Sequence, residues 1–146
     1  MIQDVIIRSL RVIPDNRGDI LHMLKSNDGD FTGFGEIYFS EIGSGVVKTW
    51  RRHLRHVSRI AVPVGKVHVH LFDGRQQSAT YESSDLVSLG RTDHKLLIIP
   101  PGIWSLFVGR GNGVSLITNC TDYPHDPLEV ERADADDSRF PTNWKD

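Results

Sequence analysis

The chain has 146 residues, of which 38% are apolar, so its length suits one domain with one modest core. A formal charge of −2, from 17 Lys and Arg against 19 Asp and Glu, argues against nucleic acid or an anionic membrane as the partner. The single cysteine, Cys120, excludes an intramolecular disulfide. No N-terminal apolar run resembles a signal peptide or a spanning helix, so we expect a cytoplasmic protein.

Short β-type runs follow one another along the chain. In chain order, the predicted strands are residues 5–13, 20–24, 34–42, 46–50, 57–64, 67–72, 79–89, 95–99, 104–108 and 114–119. Turn signals separate them at about the 8 to 12 residue spacing of all-β sandwiches and barrels. No segment has a sustained helical period, and residues 126–146 are predicted to be irregular or one short helix. The pattern predicts an all-β fold in a single domain, residues 1–146.

The densest chemistry lies in residues 45–75, where Val67, Val69 and Leu71 alternate with His68, His70 and Phe72. A basic cluster without any acid precedes that strand: Lys48, Arg51, Arg52, Arg55 and Arg59. A later segment is acidic instead: Asp122, Asp126, Glu129, Glu131, Asp134, Asp136 and Asp137. We therefore expect the basic cluster to face a small anion, the acidic segment of this chain, or a second copy of it.

Several short motifs together carry a family resemblance: Asp15-Asn16-Arg17-Gly18, Gly45-Val46-Val47-Lys48, Gly65-Lys66-Val67, Asp73-Gly74-Arg75, Pro101-Gly102, Tyr123 followed by Glu129, and Asp137 followed by Trp144. With them the chain resembles the dTDP-4-dehydrorhamnose 3,5-epimerases, and its central part is similar to the related dTDP-sugar 3,4-ketoisomerases. The resemblance implies a cupin, a jelly-roll β-barrel, assembled as a homodimer. It also implies a mouth that binds a nucleotide-activated 4-keto-6-deoxy sugar without a metal or other cofactor.

The chain departs from that family at three active-site positions. Arg51 stands where both enzyme groups place a histidine, and a guanidinium that stays protonated can bind an enolate oxygen but is a poor base. Ser105 stands in place of a later histidine, and Ile117 in place of the tyrosine that acts as acid in the epimerases. His53 matches the second histidine of the ketoisomerases, and an imidazole suits general base work.

The resemblance implies catalytic roles for His53 as base, for Arg51 and Arg59 as enolate stabilisers, and for Tyr123 or Tyr38 as acid. It implies that the substrate-binding residues are Arg17, Tyr38, Lys48, Arg59, Asp73, Arg75 and Ser105.

Two pairs of histidines are candidate metal ligands. His68 and His70 share a strand face that would suit a metal, but if Asp73 lines the cavity as in that family, these two point outward or into an interface, and no metal is predicted. His53 and His56 lie three apart, so on a strand they would point to opposite faces, with one facing solvent.

Three functions remain open on the sequence. The first is an isomerase that epimerises or ketoisomerises a nucleotide-linked 4-keto-6-deoxy sugar. The second is a non-catalytic sugar-nucleotide binder that has lost its acid and base. The third is a metal-dependent cupin, against which the absence of a histidine after Pro101-Gly102 is the main objection.

Overall fold

The computed structural model describes residues 1–146 as a set of antiparallel strands with two short 3-10 helices. The strands are β1 (Ile6–Ser9), β2 (Val12–Ile13), β3 (Ile20–Leu21), β4 (Glu36–Ile42), β5 (Val47–His53), β6 (Ser58–Val64), β7 (Lys66–Asp73), β8 (Ser84–Gly90), β9 (Lys95–Ile99), β10 (Ile103–Gly109), β11 (Ser115–Thr121) and β12 (Val130–Ala133); the 3-10 helices are Pro127–Glu129 and Asn143–Lys145. No helix has the length and hydropathy that a membrane span requires.

Two five-stranded sheets form the body of the molecule. The first has the strand order β1-β9-β6-β11-β4 and the second has the order β12-β5-β10-β7-β8, while β2 and β3 form a separate hairpin. Neighbouring strands in both sheets are antiparallel. The predicted all-β jelly-roll barrel is therefore confirmed.

Side-chain alternation along the strands places the main core between the two sheets. On β7, Val67, Val69 and Leu71 are fully buried in a cluster of 15 apolar residues. His68 and His70 lie on the opposite face of β7, as the alternation predicted.

A smaller apolar cluster covers the outer face of the second sheet. The C-terminal segment lies over this face, and its Phe140 stacks on Trp50 with ring centroids 4.6 Å apart. Trp104 is in the same cluster, so both tryptophans are packing residues rather than exposed platforms. Residues 126–146 are less irregular than predicted, because they contain β12, which pairs with β5.

Several predicted boundaries are wrong, since pairing partners decide where a strand ends. The predicted strand 5–13 is divided into β1, which pairs with β9, and β2, which pairs with β3. Residues 79–83 form a turn before β8 rather than the start of a strand. β5 continues to His53, three residues beyond the predicted end, because β12 pairs with it there.

An irregularity in β5 changes which residues face the interior. Against β10, Arg51 is opposite Ser105 and Lys48 is opposite Phe107, so β5 carries one extra residue in this interval. Such a β-bulge breaks the simple alternation of faces. Lys48 and Arg51, an odd number of residues apart, therefore both turn toward the space between the sheets.

Candidate active site

A cavity of about 310 Å³ opens between the two sheets, where β4 begins and β5 and β11 end. Its size is at the lower end of the range for small-molecule sites. Its lining is mostly polar and comprises Glu36, Tyr38, Arg51, His53, His56, Thr121, His125, Val130 and Arg132. The chemistry of this lining therefore decides what the protein can bind or transform.

The most tightly held group in the cavity is a pair formed by His53 and Glu129. His53 Nδ1 contacts Glu129 Oε1. The other carboxylate oxygen, Oε2, accepts weaker hydrogen bonds from the backbone N–H groups of Leu54, Arg55 and His56, at 3.3, 3.4 and 3.3 Å. Glu129 is only 5% exposed, so a buried carboxylate fixes both the imidazole and the loop that follows β5.

Protonation states in this pair follow from burial and charge. Burial lowers the pKa of His53 below its usual 6.5, and the hydrogen bond to Glu129 only partly opposes this effect. Burial acts to raise the pKa of Glu129, but the hydrogen bonds and charge of His53 and the backbone N–H groups outweigh it and hold the pKa below its usual value. An ionised carboxylate only accepts hydrogen bonds, so Nδ1 of the neutral imidazole carries the proton. Nε2 of His53 is then free to take a proton from a ligand.

His56 lies beside His53 rather than on the opposite face. Their rings stack with centroids 5.4 Å apart, and His56 Nδ1 is 3.2 Å from Glu129 Oε1. The prediction that one of these histidines faces solvent is wrong, because β5 ends at His53 and the following loop turns His56 inward. The same carboxylate oxygen of Glu129 therefore lies next to both histidines.

The two candidate tyrosines have different surroundings. Tyr38 lines the cavity, and its hydroxyl accepts a hydrogen bond of 2.9 Å from Asn119 Nδ2, which leaves its own proton available. Tyr123 does not line the cavity. Its ring stacks on that of His56 with centroids 5.5 Å apart, and the guanidinium carbon of Arg55 lies 5.1 Å from the centre of the Tyr123 ring. Only Tyr38 is therefore placed to donate to a ligand in the cavity.

Two predicted cations lie together because of the bulge in β5. Arg51 lines the cavity, with its guanidinium 5.7 Å from the centre of the Phe107 ring. Lys48 Nζ contacts Ser40 Oγ, and the pKa of Lys48 is lowered by burial and then by the nearby charge of Arg51. Ser105 borders a narrow inward extension of the same space, which Arg51, His53 and His56 also border.

Four other predicted binding residues lie away from the cavity lining. Arg17 is in the β2–β3 turn with 85% of its side chain exposed, and it pairs with Asp15. The guanidinium of Arg59 donates to the backbone oxygen of Asp30 at 2.8 Å and to Thr32 Oγ1 at 2.7 Å. These bonds hold the segment that precedes β4.

Asp73 and Arg75 belong to a structural network instead of the cavity. Asp73 is fully buried and accepts hydrogen bonds from the backbone and guanidinium of Arg75 and from the hydroxyls of Ser78 and Thr80. Arg75 also binds Asp4 Oδ2 at 2.9 Å. The network ties the N-terminal segment to the β7–β8 turn.

The sequence did not assign a role to Glu129, which contacts His53, or to several residues that line the cavity: Glu36, His56, Thr121, His125 and Arg132. The charge complementarity between the basic cluster and the acidic segment was a correct signal, since Arg52 pairs with Glu131 and Arg55 with Asp126. That signal did not single out Glu129, because any of the acids in the segment had the same charge.

The ligand atoms of His53, His56 and Glu129 lie within 4.8 Å of one another, which is a spacing that could hold a metal ion. Two imidazoles and a carboxylate suit zinc or ferrous iron. In the structure as described, however, both carboxylate oxygens are already engaged in hydrogen bonds to the protein.

The chain is similar to known proteins over nearly its whole length. A model of the family dTDP-4-dehydrorhamnose 3,5-epimerase matches residues 1–146. The Haloferax volcanii protein named "Probable low-salt glycan biosynthesis epimerase Agl13" is 34% identical over 142 residues, which is 96% of this chain and 88% of that protein. "Spore coat polysaccharide biosynthesis protein SpsL" of Bacillus subtilis is 27% identical over 146 residues, 99% of this chain and 97% of that protein.

A solved structure has the same fold over nearly the whole length. The crystal structure of a dTDP sugar isomerase from Desulfovibrio desulfuricans G20 superposes with a TM-score of 0.95 and 43% identity, covering 99% of this chain and 92% of that one.

Proposed function

The chain belongs to the dTDP-4-dehydrorhamnose 3,5-epimerase family, and on that premise we propose that it isomerises a nucleotide-linked 4-keto-6-deoxy hexose with His53 as the base. One relative is named a probable glycan biosynthesis epimerase, a second a spore coat polysaccharide biosynthesis protein and a third a dTDP sugar isomerase, and these names support the isomerase class for this chain. The observation that carries the proposal is the contact of His53 with the buried Glu129 at the edge of the cavity.

In the proposed first step, His53 Nε2 takes a proton from a carbon next to the sugar ketone. The electrons of the broken C–H bond form an enolate, whose charge develops on the keto oxygen. Arg51 lines the cavity two residues before His53, so its positive charge favours the negative charge that develops on that oxygen. Glu129 keeps the acceptor nitrogen of His53 directed at the ligand and stabilises the imidazolium that forms.

In the second step a proton returns to the same carbon. His53 is on β5 of one sheet and Tyr38 is on β4 of the other, so the two groups come from facing walls of the cavity. Inversion of a carbon requires removal of the proton from one face and delivery to the opposite face. This placement favours epimerisation, with Tyr38 as the acid, over proton return on the same face.

The direct test is solvent deuterium incorporation into dTDP-4-keto-6-deoxyglucose, followed by NMR or mass spectrometry. Wild-type protein should incorporate deuterium next to the ketone, and His53→Asn should lose about 10²-fold or more of that rate. His68→Asn is the matched control, because His68 lies on the outer face of β7. A wild-type protein that binds dTDP but exchanges no deuterium would leave the non-catalytic binder as the function.

A metal-dependent reaction is the second candidate, on the single observation that His53, His56 and Glu129 are close enough to share an ion. Metal analysis of the purified protein and exchange assays after dialysis against EDTA separate the two. Exchange that survives EDTA, with less than one metal per chain, supports the metal-free isomerase. The homodimer and the cytoplasmic location expected from the sequence stay proposals.

A further inference from the structure

Two arginines face each other across neighbouring strands in the cavity. In the antiparallel pairing of β12 with β5, Arg132 is directly opposite Arg51, and Val130 is directly opposite His53. Residues directly opposite each other in a sheet point to the same face. Both guanidiniums accordingly line the same cavity, next to the base.

The neighbouring pair on these two strands, on the other face of the sheet, has opposite charges. One position along, Glu131 is opposite Arg52, and the two form an ion pair of 2.7 Å. Like charges directly opposite each other destabilise a sheet, whereas opposite charges stabilise it. By this rule the pair of Arg51 with Arg132, whose side chain is exposed to solvent, is less favourable in the free protein than the pair one position away.

No group of the protein neutralises the two cavity arginines. Neither guanidinium takes part in a hydrogen bond or an ion pair, and the guanidinium of Arg51 lies 5.7 Å from the centre of the Phe107 ring. The other arginines, except Arg11, all have such partners through their guanidiniums. The cavity carboxylates do not supply one, since Glu129 is bound to His53 and Glu36 makes no ion pair.

We propose that Arg51 and Arg132 form a clamp for an oxyanion that the substrate already carries when it binds, either the diphosphate that activates the sugar or a carboxylate on the sugar ring. Two planar guanidiniums match such a group, because each can give two parallel N–H donors. An enolate carries one charge and exists only in transit, so it does not account for two permanent cations. The inference deepens the proposed function and rests on it for the identity of the ligand.

The position of the clamp limits where the anion lies on the substrate. Arg51 and His53 are two residues apart on one strand, so their Cα atoms are about 7 Å apart. That distance is close to the width of one hexose ring with its substituents. When His53 addresses a carbon beside the ketone, the clamp is therefore at the other side of the same sugar, within reach of its diphosphate or of an exocyclic carboxylate.

The test is calorimetric titration at low salt with two probes, inorganic pyrophosphate and D-glucuronate, with D-glucose as the neutral control. Arg51→Gln and Arg132→Gln should each weaken binding of at least one anionic probe by about tenfold or more, since each removes charge-assisted hydrogen bonds. Arg11→Gln is the matched control: Arg11 is also without a partner, it lies outside this cavity, and its removal changes the net charge equally. If the two arginine variants lose affinity for pyrophosphate, the clamp binds the diphosphate. If they lose affinity for glucuronate, it binds the carboxylate.

Thermal unfolding without ligand provides a second readout that does not depend on the choice of probe. Because Arg132→Gln relieves a like-charge pair, its melting temperature should be equal to that of the wild type or about 1–2 °C higher. This result would also show that the variant is folded. A clear decrease in melting temperature would instead mean that Arg132 stabilises the free protein, and it would overturn the clamp.

These experiments distinguish a failure of the clamp from a failure of the isomerase proposal. The clamp is wrong if both probes bind the wild type and the two variants equally, or if neither probe binds the wild type. Deuterium exchange by the wild type would still support the isomerase in that case. If the probes depend on Arg51 and Arg132 but no exchange occurs, the clamp stands and the isomerase does not.

Discussion

Nδ1 of His53 contacts Oε1 of Glu129, although 76 positions separate the two residues in the sequence. The contact exists because β12 pairs with the end of β5 and the Pro127–Glu129 helix directly precedes β12. Glutamate side chains are usually exposed, but this one is buried, and its carboxylate determines the tautomer of the candidate base.

The first prediction concerns this carboxylate. Glu129→Gln should lower kcat for deuterium exchange by about 10² to 10⁴-fold, because the amide no longer fixes the tautomer or stabilises the imidazolium. The KM for the ketosugar should change little. Loss of the carboxylate should also move the acidic limb of the pH profile to lower pH, because Glu129 acts to raise the pKa of His53. A purely structural role would leave that limb where it is.

Glu131→Gln is the matched control for this variant. Glu131 is two residues further along, and its carboxylate pairs with Arg52 on the outer face of the sheet. It should leave the exchange rate and its pH profile unchanged. Equal losses in both variants would contradict a special role for Glu129.

The second prediction is the pH dependence of the wild-type reaction. Burial lowers the pKa of His53 below 6.5, so the neutral, proton-accepting form is present from about pH 6.5 upward. We expect kcat/KM to rise with pH through a pKa below 6.5 and then to reach a plateau. A measured pKa above 6.5 would mean that the charge of Glu129 outweighs burial, contrary to this expectation.

The same shift affects stability. The folded protein favours neutral His53, while the unfolded chain titrates near 6.5. The contribution of this residue is therefore complete above pH 6.5 and is lost as the pH falls through the lower, folded-state pKa. Urea unfolding at several pH values should show this loss in the wild type and less of it in His53→Asn.

The third prediction separates proton removal from proton return. Tyr38→Phe removes the hydroxyl that faces the cavity but leaves His53 in place. It should slow formation of the inverted sugar by about 10²-fold or more, while deuterium exchange at the same carbon continues. Product stereochemistry by NMR, measured beside exchange, gives both rates. Tyr123→Phe keeps the ring that stacks on His56, so it should behave as the wild type does. The opposite ranking would assign the acid to Tyr123.

The fourth prediction concerns stability rather than catalysis. Burial acts to raise the pKa of Asp73, but hydrogen bonds from Arg75, Ser78 and Thr80 hold it far below its usual value. Asp73→Ala should lower the free energy of unfolding by about 3–5 kcal/mol, because it leaves a partly buried arginine and two hydroxyls without their acceptor. Binding of dTDP should be unaffected in the protein that remains folded. Urea denaturation and calorimetry provide the two measurements.

A second aspartate and arginine pair in the chain provides the control. Asp137 binds the backbone N–H and the guanidinium of Arg139 in the same way as Asp73 binds Arg75, but at the surface. Asp137→Ala should cost about 1 kcal/mol or less, because exposed ion pairs contribute little. Equal costs for the two substitutions would mean that burial does not set the value of the pair.

Local patterns in the sequence determined the parts of this structure that depend on local geometry. Alternating side chains along β7 correctly predicted that Val67, Val69 and Leu71 face the main core and that His68 and His70 face the other side of the sheet, where His70 is nevertheless buried. Turn residues and the scarcity of helical periods predicted the all-β fold. The basic cluster also predicts a site for an anionic ligand, which stays a prediction, and two residues of this segment, Arg51 and His53, line the cavity.

Tertiary structure alone decided which residues meet in the site. The bulge in β5 brings Lys48 to the side of Arg51, and the end of that strand turns His56 toward His53. Pairing of β12 with β5 then delivers Glu129 and Arg132 from the far end of the chain. These events depend on contacts between residues distant in sequence, and a strand's own residues do not specify which strand will pair with it or where its register will slip.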